Sequence, residues 1–346
     1  MRTIEMHDGV VRMIDQRRLP REVVYAEIRD YPTVGRAIKE MWIRGAPAIG
    51  AAGGFGLALA ALASKATTRE EFVRELERAG QELYETRPTA VNLGWAINRI
   101  LNKVRASNLP VSSLRELVLT EAQAIAEEDI ATNEKMARYG AALINDGDVI
   151  IHHCNTGPLA TVDIGTALGC IIEAHRQGKK IHVLVDETRP RLQGARLTAW
   201  ELMQYGVPMT LIVDNAAGHY LWRGIATKVF FGADRVAANG DVANKIGSYK
   251  LAVVAHENDV PVYAVMPTTT IDMTLADGRQ IPIEERGEEE VTTIEGVRFA
   301  PEGVKVGNPA FDVTPHKYLT AIVTERGIVY PPFKDNLLKV MDAAEG

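Results

Sequence analysis

The chain has 346 residues, 46% hydrophobic and 24% charged, enough for two domains with sizeable cores. A formal net charge of −6 leaves no basic excess for a general nucleic-acid or membrane-surface binder. Its two cysteines, Cys154 and Cys170, make no disulfide framework, and Met1–Asp8 has no apolar signal core, so a cytoplasmic protein is expected.

Val10–Ile14 and Glu22–Ile28 read as two antiparallel strands around the polar turn Asp15–Pro20. Tyr31-Pro-Thr33 opens a helix reaching Met41, and Pro47 suits the first turn of the next one, which runs through Ala63. The stretch Ala51–Ala63 is apolar but short and glycine-rich, which predicts a buried helix rather than a membrane span. Thr67–Tyr84 is amphipathic, Trp95–Ser107 is helical, and Leu114–Tyr139 forms a long helical pattern. Residues 1–120 are therefore expected to make a small sheet plus a helical bundle.

The rhythm then changes, and 121–346 is expected to form a second domain. Strand-like runs at Val149–His153, Ile181–Asp186, Met209–Val213, Val229–Val236 and Val262–Met266 alternate with helical ones. The helices fall at Ala160–Arg176, Gly194–Tyr205, Ala216–Gly224 and Tyr249–Asn258. That alternation predicts βαβ units and a Rossmann-like parallel sheet. Thr268–Val304 is polar and acidic and reads as a surface excursion, and Pro315–Pro332 as a last helix and short strand.

Four stretches carry residues suited to chemistry. Cys154 ends a strand ahead of Asn155-Thr-Gly157 and an expected helix, where ligands bind in open α/β sheets and where a helix dipole makes a thiol acidic. A lone cysteine is otherwise a small buried hydrophobe, and Cys170 is read that way. Asp186-Glu-Thr-Arg-Pro-Arg-Leu-Gln-Gly194 places charges at a strand end, with Gln193 at a helix start whose free N–H groups favour anions; the plain alternative pairs Asp186 with Arg189. Asp234 interrupts an apolar run, and partial burial would keep it protonated as a general acid; the alternative pairs it with Arg235. Asn244 and Lys245 follow a glycine turn and suit sugar hydroxyls and phosphate, unless Lys245 is simply solvated. Arg44, Gly45 and Ala46 at a helix start make a phosphate clamp, with Arg87 as a second arm. No nucleotide-binding glycine motif and no Cys/His metal spacing occurs, so neither a cofactor nor a metal is expected. His152 and His153, adjacent on a strand, point to opposite faces and do not pair as ligands.

Together, Ile43–Gly50, Arg87–Asn92, His153–Gly157, Asp186–Pro190, Gln193–Arg196 and Gly232–Arg235 through Asn244-Lys245 closely resemble the methylthioribose-1-phosphate isomerase family of methionine salvage. Its superfamily also holds ribose-1,5-bisphosphate isomerase and regulatory subunits of a eukaryotic translation initiation factor. The resemblance covers nearly the whole chain. It implies a helical N-terminal domain, a Rossmann-like C-terminal domain, a homodimer, and a cofactor-free conversion of a sugar-phosphate aldose to its ketose. It places Cys154 and Asp234 in the catalytic pair. Arg44, Gly45, Ala46, Arg87, Gln193, Asn244 and Lys245 match the family's substrate-binding positions.

Overall fold

The computed structural model describes residues 1–88 and 90–342; Thr89, inside the Arg87–Asn92 motif, and residues 343–346 lie outside the described residues. The chain forms two compact units, Met1–Thr132 with Gly157–Gly165, and Asn133–Thr156 with Thr166–Gly346.

The first unit opens with a three-stranded antiparallel sheet, β1 (Ile4–His7), β2 (Val10–Ile14) and β3 (Tyr25–Ile28). The β2–β3 pair is the expected one; β1 is an addition, and it buries Ile4 against the core. Helix α1 (Tyr31–Lys39) starts at Asp30, whose carboxylate accepts from the Thr33 N–H at 2.8 Å, with Pro32 in the first turn. Helix α2 (Ala46–Ala63) is long and apolar enough by composition to cross a membrane, yet 78% of it is buried inside the protein. It is the central helix of this unit and packs against α1, α3 (Arg69–Glu85) and α4 (Val91–Ala106). Helix α4 starts before the expected Trp95 because Leu93 belongs to the core. Helix α5 (Val111–Ala141) runs through the boundary expected near 120.

The second unit alternates strands and helices: β4 (Val149–His152), α6 (Ala167–Arg176), β5 (His182–Asp186), α7 (Ala199–Gln204), β6 (Met209–Ile212), α8 (Ala217–Trp222), β7 (Lys228–Phe231), β8 (Arg235–Ala237), β9 (Val242–Lys245), α9 (Ser248–Glu257) and β10 (Val262–Val265). It continues through β11 (Ile271–Asp272), α10 (Glu289–Thr292), β12 (Thr293–Ile294), β13 (Val297–Arg298), β14 (Phe311–Thr314), β15 (Ala321–Thr324), β16 (Gly327–Val329) and α11 (Phe333–Asp342). A seven-stranded sheet in the order β16-β15-β10-β7-β4-β5-β6 is parallel except for β16. Apolar clusters cover both of its faces, as a parallel sheet requires. The chain is thus an α/β protein with a helical N-terminal region, a small antiparallel sheet and a large, mostly parallel one.

Three expected elements differ. Val229–Val236 is not one strand. It breaks after Phe231, and the Asp234 N–H bonds to the Ala243 carbonyl at 2.9 Å, which carries the chain into a second sheet, β11-β8-β9-β14. The helix expected from Ala160 begins only at Ala167. Residues Gly157–Gly165 belong to the first unit, where Val162 joins the core and its N–H bonds to Asp129; the Thr166 N–H then returns to the Thr156 carbonyl at 2.7 Å. Pro315–Pro332 holds only a short turn and two strands, and the last helix starts after Pro332 at Phe333, which anchors it in the core. The acidic segment from Thr268 to Val304 is tied down: Glu290 forms an ion pair with Arg191, and the Val291 carbonyl accepts from Arg189.

Candidate active site

From β4 the chain adds β5 and β6 on one side, then returns to β7 on the other and adds β10 and β15 outward. The order reverses between β4 and β7, and crevices outside the carboxyl ends of such strands are where open α/β sheets bind ligands. Cys154 follows β4 and Asp234 follows β7, two adjacent parallel strands in register with His152 opposite Phe230.

Cys154 is buried and has a φ of 71°, a left-handed conformation that strains any residue with a Cβ. The turn is held from both sides. The Cys154 N–H donates to Thr188 Oγ1 at 2.9 Å, and the Cys154 carbonyl accepts from Thr198 Oγ1 at 2.7 Å. Thr188 in turn donates to the Asp186 carbonyl at 3.1 Å. The expected helix dipole is not the source of any thiol acidity, because α6 starts at Ala167. Cys170 lies fully buried in α6, and burial pushes its thiol far up, as befits a packing residue.

The two histidines before Cys154 are held differently. Both are buried. His152 Nδ1 faces the Phe230 carbonyl at 2.9 Å and burial pushes it down to about 4, so it is neutral. His153 Nδ1 meets Asp186 Oδ2 at 2.8 Å, and its Nε2 meets the Ile246 carbonyl at 2.9 Å. Asp186 is therefore not paired with Arg189, whose guanidinium donates to the Pro190 and Val291 carbonyls.

Gln193 sits at the start of a π-helical turn (Gly194–Thr198) that leads into α7. The next two N–H groups, of Ala195 and Arg196, bond to the Glu187 and Leu192 carbonyls. The Gln193 side chain is buried, and its Oε1 has no hydrogen-bond partner in the protein, the condition of a group awaiting a ligand. Asp234 is exposed, so the expected partial burial is not found, and its neighbour Arg235 pairs with Asp272 at 2.9 Å instead. Asn244 is buried and donates to Ser248 Oγ at 2.8 Å. Lys245 is not a solvated lysine. It is buried, donates to the Ala310 carbonyl at 2.8 Å, and lies 4.3 Å from the Phe311 ring centroid. Hydrogen bonds from the Asp234 N–H to the Ala243 carbonyl and from His153 Nε2 to the Ile246 carbonyl place β9 beside the ends of β4 and β7.

The remaining expected residues lie in the first unit. Gly45 caps α2 with a φ of 92°, and a Cβ there would stand 2.1 Å from the Ala160 carbonyl oxygen, so only glycine fits. No side chain caps α2 at Gly45, directly after Arg44. Arg87 follows α3, its N–H bonded to the Tyr84 carbonyl at 3.1 Å.

Among the described residues, His153, Asp186 and Asp214 are the one group whose ligand atoms lie close enough for a metal, within 4.8 Å of one another. Most of those atoms are already engaged, although the buried Asp186 Oδ1 has no hydrogen-bond partner among the described residues. Both His153 nitrogens have partners, and the Asp214 carboxylate accepts the Thr188 and Arg189 N–H groups at 2.7 Å each. His153 and Asp186 bond to each other, while the Asp214 carboxylate is held by backbone N–H groups. An open cavity of about 420 Å³ lies beyond β5 and β6, lined by Glu187, Arg189, Asp214, Gly247 and Lys250 among others. Neither Cys154 nor Asp234 lines it. Sequence reasoning missed Thr188, Thr198 and the role of His153. The available signal was the consecutive pair β4 and β5, whose parallel register puts the residues after His152 beside Asp186.

Strand order and connections together define a doubly wound α/β protein with its switch point between β4 and β7. The chain belongs to the initiation factor 2 subunit family, whose model matches residues 42–331. It is 55% identical to the methylthioribose-1-phosphate isomerase of Pelotomaculum thermopropionicum over 97% of this chain and 92% of that one. The crystal structure of 5-methylthioribose 1-phosphate isomerase from Pyrococcus horikoshii OT3 is similar at a TM-score of 0.95 and 51% identity, over 99% of this chain and 96% of that one. The crystal structure of the translation initiation factor eIF-2B delta subunit from A. fulgidus is similar at 0.91 and 44% identity, over 99% of both chains.

Proposed function

We infer that the protein is an aldose–ketose isomerase that converts 5-methylthioribose 1-phosphate to 5-methylthioribulose 1-phosphate. The observation that carries this is identity of 50–55% with methylthioribose-1-phosphate isomerases over nearly the whole of both chains. The residue types fit that chemistry. The anomeric oxygen carries phosphate, so the ring does not open as a free hemiacetal does. Asp234 protonates the ring oxygen as the C–O bond breaks; exposed in the free chain, it is desolvated by the bound sugar, which favours the protonated form. Cys154 takes the hydrogen from C2 and returns it to C1 through an enediol, or else assists a direct hydride shift between them. Arg44, Gly45, Ala46, Arg87, Gln193, Asn244 and Lys245 bind the phosphate and hydroxyls, and no cofactor enters.

Proton NMR of the protein with this substrate in deuterated buffer tests the reading. Ketose is expected without added metal or nucleotide. Deuterium at C1 would mark an enediol that exchanges with solvent, and retained protium would mark a hydride shift or a shielded base. Folded protein that forms no ketose would overturn the assignment. Turnover of ribose 1,5-bisphosphate, or co-purification with a translation factor as the A. fulgidus likeness suggests, would then direct the next reading.

We also propose a cytoplasmic homodimer. Edge strand β6 leaves Leu211 47% exposed and the following Val213 58% exposed, and Trp222 at the end of α8 is 74% exposed. Light scattering should give twice the chain mass, and a monomer at micromolar concentration would refute it.

A further inference from the structure

His153 stands out as a buried ionisable group that the proposed reaction does not use. Its Nε2 faces a backbone carbonyl, which only accepts, so that nitrogen carries a hydrogen. Its Nδ1 faces the Asp186 carboxylate. Burial by itself would strip the second proton, but Asp186 holds it, and the carboxylate of Asp214 adds to the negative potential. Asp312, which caps the start of α9 through the Gly247 and Tyr249 N–H groups, acts in the same sense. The cation Lys250 is directed to the Asp214 carbonyl and to Asn215, and the Arg189 guanidinium to the Pro190 and Val291 carbonyls. His152 on the same strand is neutral. The ring also has a built seat. Gly247, with a φ of 106°, lets the chain pass so close that a Cβ would stand 2.9 Å from His153 Cε1.

We propose that His153 is a positioning residue for Cys154: held as a buried imidazolium between Asp186 and the Ile246 carbonyl, it fixes the strained Cys154 turn and favours the thiolate. The inference rests on the reading of Cys154 as the reacting thiol. The coupling runs along two short paths. His153 is the residue directly before Cys154. Asp186 ties back to the same turn, its carbonyl accepting from Thr188, whose oxygen accepts the Cys154 N–H. A nearby positive charge is one means by which proteins make a thiol acidic, and α6 begins only at Ala167, well past Cys154. The one other cysteine does not confuse the titration, because burial holds Cys170 protonated.

The test is an ultraviolet titration of thiolate, with the Cys154→Ser protein subtracted from the wild type to isolate Cys154. His153→Gln, with its own Cys154→Ser control, should move the midpoint up by about one pH unit or more, and the kcat–pH profile should move with it. A folded His153→Gln protein with an unmoved midpoint would overturn the proposal. A merely structural role lowers thermal stability and leaves the midpoint in place. Should the variant not fold, nitrogen-15 NMR of the histidine-labelled wild type decides. One imidazolium signal should persist at about pH 8, where ordinary histidines are neutral; its absence there overturns the proposal. Failure of the isomerase assignment would show separately, as no ketose from wild-type protein whatever the titration gives.

Discussion

Cys154→Ser is expected to lower isomerase turnover by about 100-fold or more while the fold is kept, because a positioned acid–base group is typically worth about 10²–10⁴-fold. Serine is close to isosteric, and the backbone bonds to Thr188 and Thr198 that hold the turn do not involve the sulfur. The change therefore removes the thiol and little else. A hydroxyl is a far weaker acid, so no comparable anion forms near neutrality to take the C2 hydrogen. Steady-state kcat and circular dichroism, measured on the same preparation, check the result. Turnover within a few-fold of wild type would remove Cys154 from the reaction.

Asp234→Asn should lose about 100-fold or more for a different reason: the amide has the shape of the acid but no proton to give. Asp234 is exposed at the switch point, with its backbone N–H tied to Ala243, so the substitution disturbs no core. The two variants differ in what survives. With Asp234→Asn the basic limb of the rate profile should vanish, because the acid no longer titrates, whereas Cys154→Ser should leave it. Pre-steady-state analysis should place the Asp234→Asn defect at ring opening. An unchanged profile with normal kcat would exclude Asp234 as the acid.

The exposure of Asp234 bears on how such residues are read. An aspartate at the end of an apolar run suggests burial, because the run itself is buried: Val229, Phe230 and Phe231 have no exposed surface. The run ends three residues before Asp234, however, and the chain turns there into a different sheet. Hydropathy along a segment does not reveal that turn, since it depends on which carbonyl, here that of Ala243, lies across from the Asp234 N–H. The same limit explains Lys245. A lysine after a glycine turn looks solvated, and only the meeting of β9 with β14 supplies the Ala310 carbonyl and the Phe311 ring that bury it. It also explains the missing helix after Gly157, where local periodicity is overridden by packing of Val162 in the core of the first unit.

The sequence by itself determined most helices of the first unit, the alternation that builds the parallel sheet, and the positions of Cys154 and Asp234 beyond strand ends. These follow from local periodicity, proline and glycine signals and motif order, which act over a few residues. The tertiary structure decided that β4 and β7 are neighbours at the point where strand order reverses, that His153 meets Asp186 33 residues away, and that Cys154 sits in a strained turn rather than at a helix start. Those outcomes depend on strand pairing and on hydrogen bonds between distant segments, which no short window of the chain contains.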